Sequence, residues 1–214
     1  FDKFCPKQFE VQNAGFFSSV ETPWNEGLDK LKEKVISDNT KVVSFDIFDT
    51  LITRPFLYPK DLFTFLNEDY RKLSSNLGID FSKIRVDCEI LARTEAHGNK
   101  KEEVTLDRIY EIIKEEYNIK EEILNFLKNK EIELELKFCK RRETAYSIYK
   151  LAKYLGKRVI CTSDMYLPLD TIEQILNKNG FNNIDKIYLS CEVMKTKATG
   201  NLYSYVIENE KIKP

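Results

Sequence analysis

The sequence predicts an α/β chain, a parallel-sheet core interrupted after its first strand by an all-helical insertion. Strand-length apolar runs stand at residues 41–45, 158–164 and 186–192. The last two flank a helical segment, PLDTIEQILNKNG, through short links, the signature of a parallel βαβ unit. Between the first and second runs, from Pro59 to Leu155, the apolar spacing holds near 3.6 residues.

Residues 1–24 mix Phe1, Phe4, Phe9, Phe16, Phe17 and Trp24 with Pro6 and Pro23 and show no sustained period, so they read as a lead-in segment packing on the surface. A helix follows over 25–37, with Leu28, Leu31 and Val35 on one face. Leu62, Leu66, Tyr70 and Leu73 make one helical stripe, and Phe81, Ile84, Cys88 and Leu91 a second. Thr105 is a candidate N-cap for the helix carrying Leu106, Ile109, Ile113 and Tyr117. A continuous pattern from Lys120 to Leu155 predicts one long helical tract ended by Gly156. The expected division is a lead-in and helix at 1–40, a core at 41–54 and 157–214, and a helical module at 55–156.

The 214 residues suffice for a large core without disulfide support. Thirty-four basic against 35 acidic residues leave a net charge of −1, so no field recruits nucleic acid. Alternating signs in KNKEIELELKFCKRRE (128–143), with Glu133 and Lys137 as i,i+4 partners, read as a solvated helix face. The five cysteines are odd in number, widely spaced and never in a C-x-x-C pair, so neither a disulfide framework nor a zinc site is indicated. No apolar run approaches the roughly 18 residues of a membrane span, and no secretory signal is visible. A reducing cytoplasm is the expected setting. The first residue is Phe1 rather than Met, which suggests a piece of a longer protein with other domains.

The stretch VVSFDIFDTLITRP (42–55) poses the functional question, because burying an unpaired carboxylate costs several kcal/mol or more. Asp46 must therefore lie at an edge or beside something positive. Sites of open parallel sheets lie beyond the carboxyl ends of the strands. There the first strand delivers Asp46, Asp49 and Thr50, the second Thr162, Ser163 and Asp164, and the third is followed by Lys195 and Lys197. A carboxylate nucleophile, a hydroxyl and an ammonium, with Mg²⁺ between them, form the electrostatic clamp that phosphoryl transfer demands.

These residues resemble a known group. D-x-x-x-T-L at Asp46 to Leu51, the strand-terminal Ser163 and K-x-x-G-x-L-Y at Lys197 to Tyr203 are similar to motifs one to three of the haloacid-dehalogenase-like (HAD) hydrolases. The helical insertion resembles the type-one cap of that superfamily. SFDIFDTLITRP with TSDMYLP resembles, more narrowly, a bacterial branch found in or beside glycosyltransferases of surface-polysaccharide synthesis. The resemblance implies a Rossmann-like core and a Mg²⁺-dependent phosphatase acting on a small phosphorylated metabolite. It makes Asp46 the nucleophile and a metal ligand, and the backbone carbonyl of Phe48 a second ligand. Thr50 would brace the turn, Ser163 would bond the phosphoryl group, and Lys197 would neutralise it. Lys195 is the competing lysine, and only Lys197 has the G-x-L-Y tail at the right distance.

Two departures qualify that reading. Phosphatases of the family carry a second Asp two residues after the nucleophile, where this chain has Phe48, and losing a general acid typically costs about 10²- to 10⁴-fold. Asp49 points elsewhere by strand alternation; Asp164, Tyr166 or the cap are alternative acids. Dehalogenases of the superfamily also carry an aromatic residue there, and their aspartate attacks carbon without a metal. The second departure is that the fourth motif, an acidic strand end supplying the remaining magnesium carboxylate, does not follow Lys197 before Pro214. The expectation is a chain truncated ahead of that motif, weak in Mg²⁺ binding and in turnover.

Arg54 has two readings, contact with a substrate anion or a structural salt bridge. His97 reads as solvated or capping, and Asp49 equally as a turn-stabilising acid. The leading function is a HAD-like hydrolase; a non-catalytic or regulatory module of a larger protein and attack at carbon are the alternatives.

Overall fold

A computed structural model describes residues 23–74 and 78–212. Its elements are α1 (Pro23–Ile36), β1 (Val42–Phe45), β2 (Ile52–Thr53), a 3₁₀ helix (Pro59–Leu66), α2 (Asn67–Leu73), α3 (Phe81–Gly98), α4 (Leu106–Tyr117), α5 (Glu121–Phe138), β3 (Lys140–Arg141), α6 (Glu143–Tyr154), β4 (Arg158–Ser163), α7 (Leu169–Lys178), β5 (Lys186–Leu189), α8 (Ser190–Val193) and α9 (Asn201–Asn209). The lead-in segment through residue 22 lies outside the described residues.

The chain is α/β. A three-stranded sheet has the order β1-β4-β5, with β1 and β4 parallel and Phe45 opposite Cys161. Val159, Ile160 and Cys161 of β4 are fully buried, as a strand covered on both faces must be. The link from β4 through α7 to β5 is the expected crossover. Gly180, at φ +88°, turns the chain after α7, and Asp185 fastens the return by accepting the Val159 N–H at 2.7 Å.

The chain divides into two compact units. One holds the chain up to Thr53, Lys140–Cys161 and Asn177–Ile187; the other holds Arg54–Cys139, Thr162–Leu176 and Tyr188–Pro214. In the first, α6 packs against α1. The antiparallel pair β2/β3, Ile52 opposite Arg141 and Thr53 opposite Lys140, ties together the two points where the chain leaves for Arg54–Cys139 and returns.

The helical elements of the second unit begin and end as local chemistry dictates. The Thr105 hydroxyl accepts the Arg108 N–H and starts α4. Leu62, Leu66, Tyr70, Phe81, Ile84, Leu106, Ile109, Ile113 and Leu127 are all buried there. Leu73 of the expected stripe is instead 47% exposed, as the last residue of α2.

The tract expected to run unbroken from Lys120 to Leu155 is two helices. At Cys139 the backbone turns extended (φ −65°, ψ 123°) so that Lys140 and Arg141 can pair with β2, and the apolar period runs through this break unmarked. Gly156, at φ +67°, ends α6 as expected. Glu133 pairs with Lys130 at 2.9 Å rather than with Lys137, whose ammonium lies over the Phe138 ring. The strand expected over 186–192 stops at Leu189, and Ser190 begins a helical turn. No helix among the described residues is long and apolar enough to cross a membrane.

Candidate functional site

In the first unit, β1 runs into Asp46, half-buried just past the buried Phe45. The turn after it is organised by one carbonyl, Ile47 O, which accepts the N–H groups of Leu51 at 2.8 Å and Ile52 at 2.9 Å, with Thr50 at 3.4 Å. Asp49 takes the left-handed conformation at φ +57°, which Asp tolerates better than most residues. Its carbonyl accepts from the Arg142 guanidinium, and the Arg142 N–H donates to Leu51 O at 2.8 Å. Ile47, Leu51 and Ile52 are fully buried and anchor the turn, while Phe48 is half-buried and bridges to Ile52. The stretch DIFDTLI therefore holds two acids, Asp46 and Asp49, among its buried apolar anchors. Burial, and then the charge of Asp46, pushes the neighbouring Cys161 thiol up to about 12, so this cysteine stays protonated.

The Asp46 carboxylate and the Phe48 main-chain carbonyl are the hard oxygen donors that Mg²⁺ takes, and Mg²⁺ commonly uses only one or two carboxylates of a protein. Among the described residues no group of three or more His, Cys, Asp or Glu side chains is placed to hold a metal ion.

In the second unit, Ser163 closes β4 at 1% exposure. Asp164 follows it and accepts the Lys197 N–H with both carboxylate oxygens, at 2.9 and 3.1 Å. The loop carrying Lys195 and Lys197 is folded by its own backbone: Gly200 N–H donates to Lys197 O at 3.0 Å and Leu202 N–H to Thr196 O at 3.1 Å. Met194 (φ +53°) and Gly200 (φ +80°) make the two left-handed corners. The Lys195 ammonium lies 5.9 Å from the centre of the Tyr205 ring.

The α3–α4 linker is fastened to these loops. Glu102 accepts from Thr196 N at 2.8 Å, Thr199 Oγ1 at 2.7 Å and the Asn201 amide, and these bonds hold its carboxyl down at about 2. Glu103, 3% exposed, takes Ser190 Oγ at 2.7 Å and Arg93 at 2.5 Å. Leu106 N–H donates to Tyr166 O at 2.9 Å.

Deeper in this unit, Arg85 is fully buried. It makes a two-pronged pair with the equally buried Glu131 at 2.9 and 2.8 Å, and a third bond to Glu89 at 3.0 Å. Its guanidinium lies 4.5 Å from the Phe63 ring and 4.9 Å from that of Tyr166. Arg54 makes a second two-pronged pair, with Glu135 at 2.7 Å for both bonds, and its side chain is 8% exposed. That is the salt-bridge role of the two readings open for Arg54. A cleft of about 450 Å³ opens beside this network, lined by Tyr58, Phe63, Val86, Ile90 and Tyr166 among others.

Of the residues expected at the site, Asp46, Phe48, Asp49 and Thr50 belong to the first unit, and Arg54, Ser163, Asp164, Lys195 and Lys197 to the second. Within the second, Asp164 and the Lys197 backbone are joined directly. Sequence reasoning missed Glu102, Glu103 and the buried acids. Glu131 and Glu135 belong to the 128–143 run read as a solvated face, but they share the stripe of Leu127, Leu134 and Phe138, and acids on an apolar stripe were the available signal. Glu102 carried none, because its partners lie nearly a hundred residues away.

No family model matches the chain, and no curated protein sequence matches it. Among solved structures, a crystal structure of a dehalogenase aligns with a TM-score of 0.48 and 13% identity over 84% of this chain and 75% of that one. A dehalogenase with an intermediate complex aligns at 0.47 and 14% with the same coverage. At that level the likeness assigns no chemistry.

Proposed function

We propose that this chain is a HAD-like hydrolase domain in which Asp46 attacks the phosphorus of a small phosphorylated metabolite in the cytosol. The observation that carries the reading is the placement of Asp46: a half-buried carboxylate at the carboxyl end of a strand in a parallel pair, followed by a turn pinned through Ile47 O. The Asp46 carboxylate forms a P–O bond as the ester P–O bond breaks; the alcohol leaves, and water then cleaves the aspartyl-phosphate to inorganic phosphate and free Asp46. Ser163 and Lys197 bond and neutralise the transferred group in this scheme. Mg²⁺, held by Asp46 and the Phe48 carbonyl, would supply further charge neutralisation.

Phe48 gives the reaction a distinctive selectivity. A phenyl ring cannot protonate the departing oxygen, so turnover falls on esters whose alcohols leave well unaided. Aryl phosphates should be hydrolysed about 10²-fold or more faster than alkyl phosphates. The same residue favours a second reading, attack of Asp46 on carbon with departure of halide, which needs no proton. The experiment is a panel of aryl phosphates, alkyl phosphates and halogenated acids, with and without Mg²⁺, against the parent and Asp46→Asn. Phosphate release lost in the Asn variant supports the first reading, and halide release lost in it supports the second. An Asn variant as active as the parent rules out aspartyl catalysis, and a parent inert on the whole panel leaves the non-catalytic module.

A further inference from the structure

We infer that Glu102 is a positioning residue for the lysine-bearing loop, acting from the helical segment through a carboxylate that fastens the loop from outside; this rests on the reading that Lys197 serves the reaction. Four donors converge on Glu102. Thr196 N at 2.8 Å, Thr199 Oγ1 at 2.7 Å and Thr196 Oγ1 at 3.4 Å meet Oε2, and the Asn201 amide nitrogen meets Oε1. All of them are donors facing the acid, so only a group accepting at both ends satisfies them. A glutamine would keep Oε2's bonds with its carbonyl but turn its own NH₂ against the Asn201 amide.

The position also suits an anion. Asn201 opens α9, whose cap Gly200 has no side chain to offer, so Glu102 supplies from outside the negative charge that a helix N-terminus favours. The linker that carries Glu102 is itself fixed next door, by Glu103 on Ser190 and Arg93 and by Leu106 on Tyr166. The loop is thus gripped on two sides, by Asp164 at the Lys197 N–H and by Glu102 at Thr196, Thr199 and Asn201. With the main-chain N–H groups of Thr196 and Lys197 both spent on these carboxylates, the loop meets a substrate through its side chains, and their aim depends on the grip.

The test compares Glu102→Ala, Glu102→Gln and Thr199→Val by amide hydrogen exchange and by kinetics on whichever substrate the parent turns over. Exchange at Thr196, Lys197 and Leu202 should quicken about tenfold or more in the Ala variant and less in the Gln and Val variants, with β4 amides unchanged. The Ala variant should lose kcat about tenfold with KM within about twofold, and Gln should restore most of it. Unchanged loop exchange, or a loosened loop with undiminished kcat, overturns the inference. A parent inert on every substrate overturns the reading beneath it instead, while loop exchange still decides whether Glu102 builds the loop.

Discussion

Replacing Glu131 by Ala isolates the buried polar centre of the helical unit. Glu131 accepts Arg85 Nε at 2.9 Å, Arg85 Nη2 at 2.8 Å and the Tyr110 hydroxyl at 2.9 Å, and both charged side chains are fully buried. The substitution leaves a guanidinium that burial disfavours with only Glu89 at 3.0 Å. It cannot relieve itself by losing a proton, because arginine stays charged in proteins. Removing one partner of a buried pair costs about 3–5 kcal/mol, and a stranded buried hydroxyl about 1–3 kcal/mol. Both losses fall on one carboxylate and do not simply add. A loss of about 4 kcal/mol lowers the melting temperature by about 8–16 °C for a chain of this size. Thermal melting followed by far-ultraviolet circular dichroism measures it. The triple variant Arg85→Met, Glu131→Leu, Tyr110→Phe should recover most of the loss, since apolar groups of similar volume replace a buried pair at little cost and no hydroxyl is left stranded. A Glu131→Ala variant melting within about 3 °C of the parent, less than 1–2 kcal/mol at this size, would refute the claim that the pair is buried and mutually dependent.

Two further outcomes follow from the first unit and from the thiols. Gly180→Ala places a side chain at φ +88° with its Cβ 3.3 Å from Arg141 Nη1 and Tyr146 Oη, so stability in urea should fall by about 1–2 kcal/mol; an unchanged midpoint argues against the left-handed corner. Burial, first among the causes, raises the thiols of Cys88 to about 11 and of Cys161 and Cys191 to about 12. Their folded values lie above the unfolded one, so their contribution to stability is complete below about pH 8.5 and is lost as pH rises towards 12. In a Cys5→Ser background a disulfide-exchange reagent at pH 8 should label these thiols only after unfolding; rapid native labelling would contradict their burial.

Much of the fold was legible locally. Strand-length apolar runs marked β1 and β4, Thr105 marked the start of α4, and Gly156 marked the end of α6, because each depends on residues within one or two turns. The Cys139 break was not legible, since extended backbone there is bought by pairing with β2 across the whole helical excursion. The same holds for Glu131 and Glu135. Their charge says surface, and only two arginines from distant segments make burial tolerable.

What the sequence by itself determined is which residue types stand at the strand ends: Asp46 after an apolar strand, Phe48 two places on, Ser163 closing β4, and lysines after β5. Those follow from short-range pattern. What only the tertiary structure decided is how the lysine loop is held. Hydrogen bonds accepted by Glu102 and Asp164 join residues 94 to 99 and 33 positions apart, and such partners are chosen by the folded geometry rather than by any local preference of the chain.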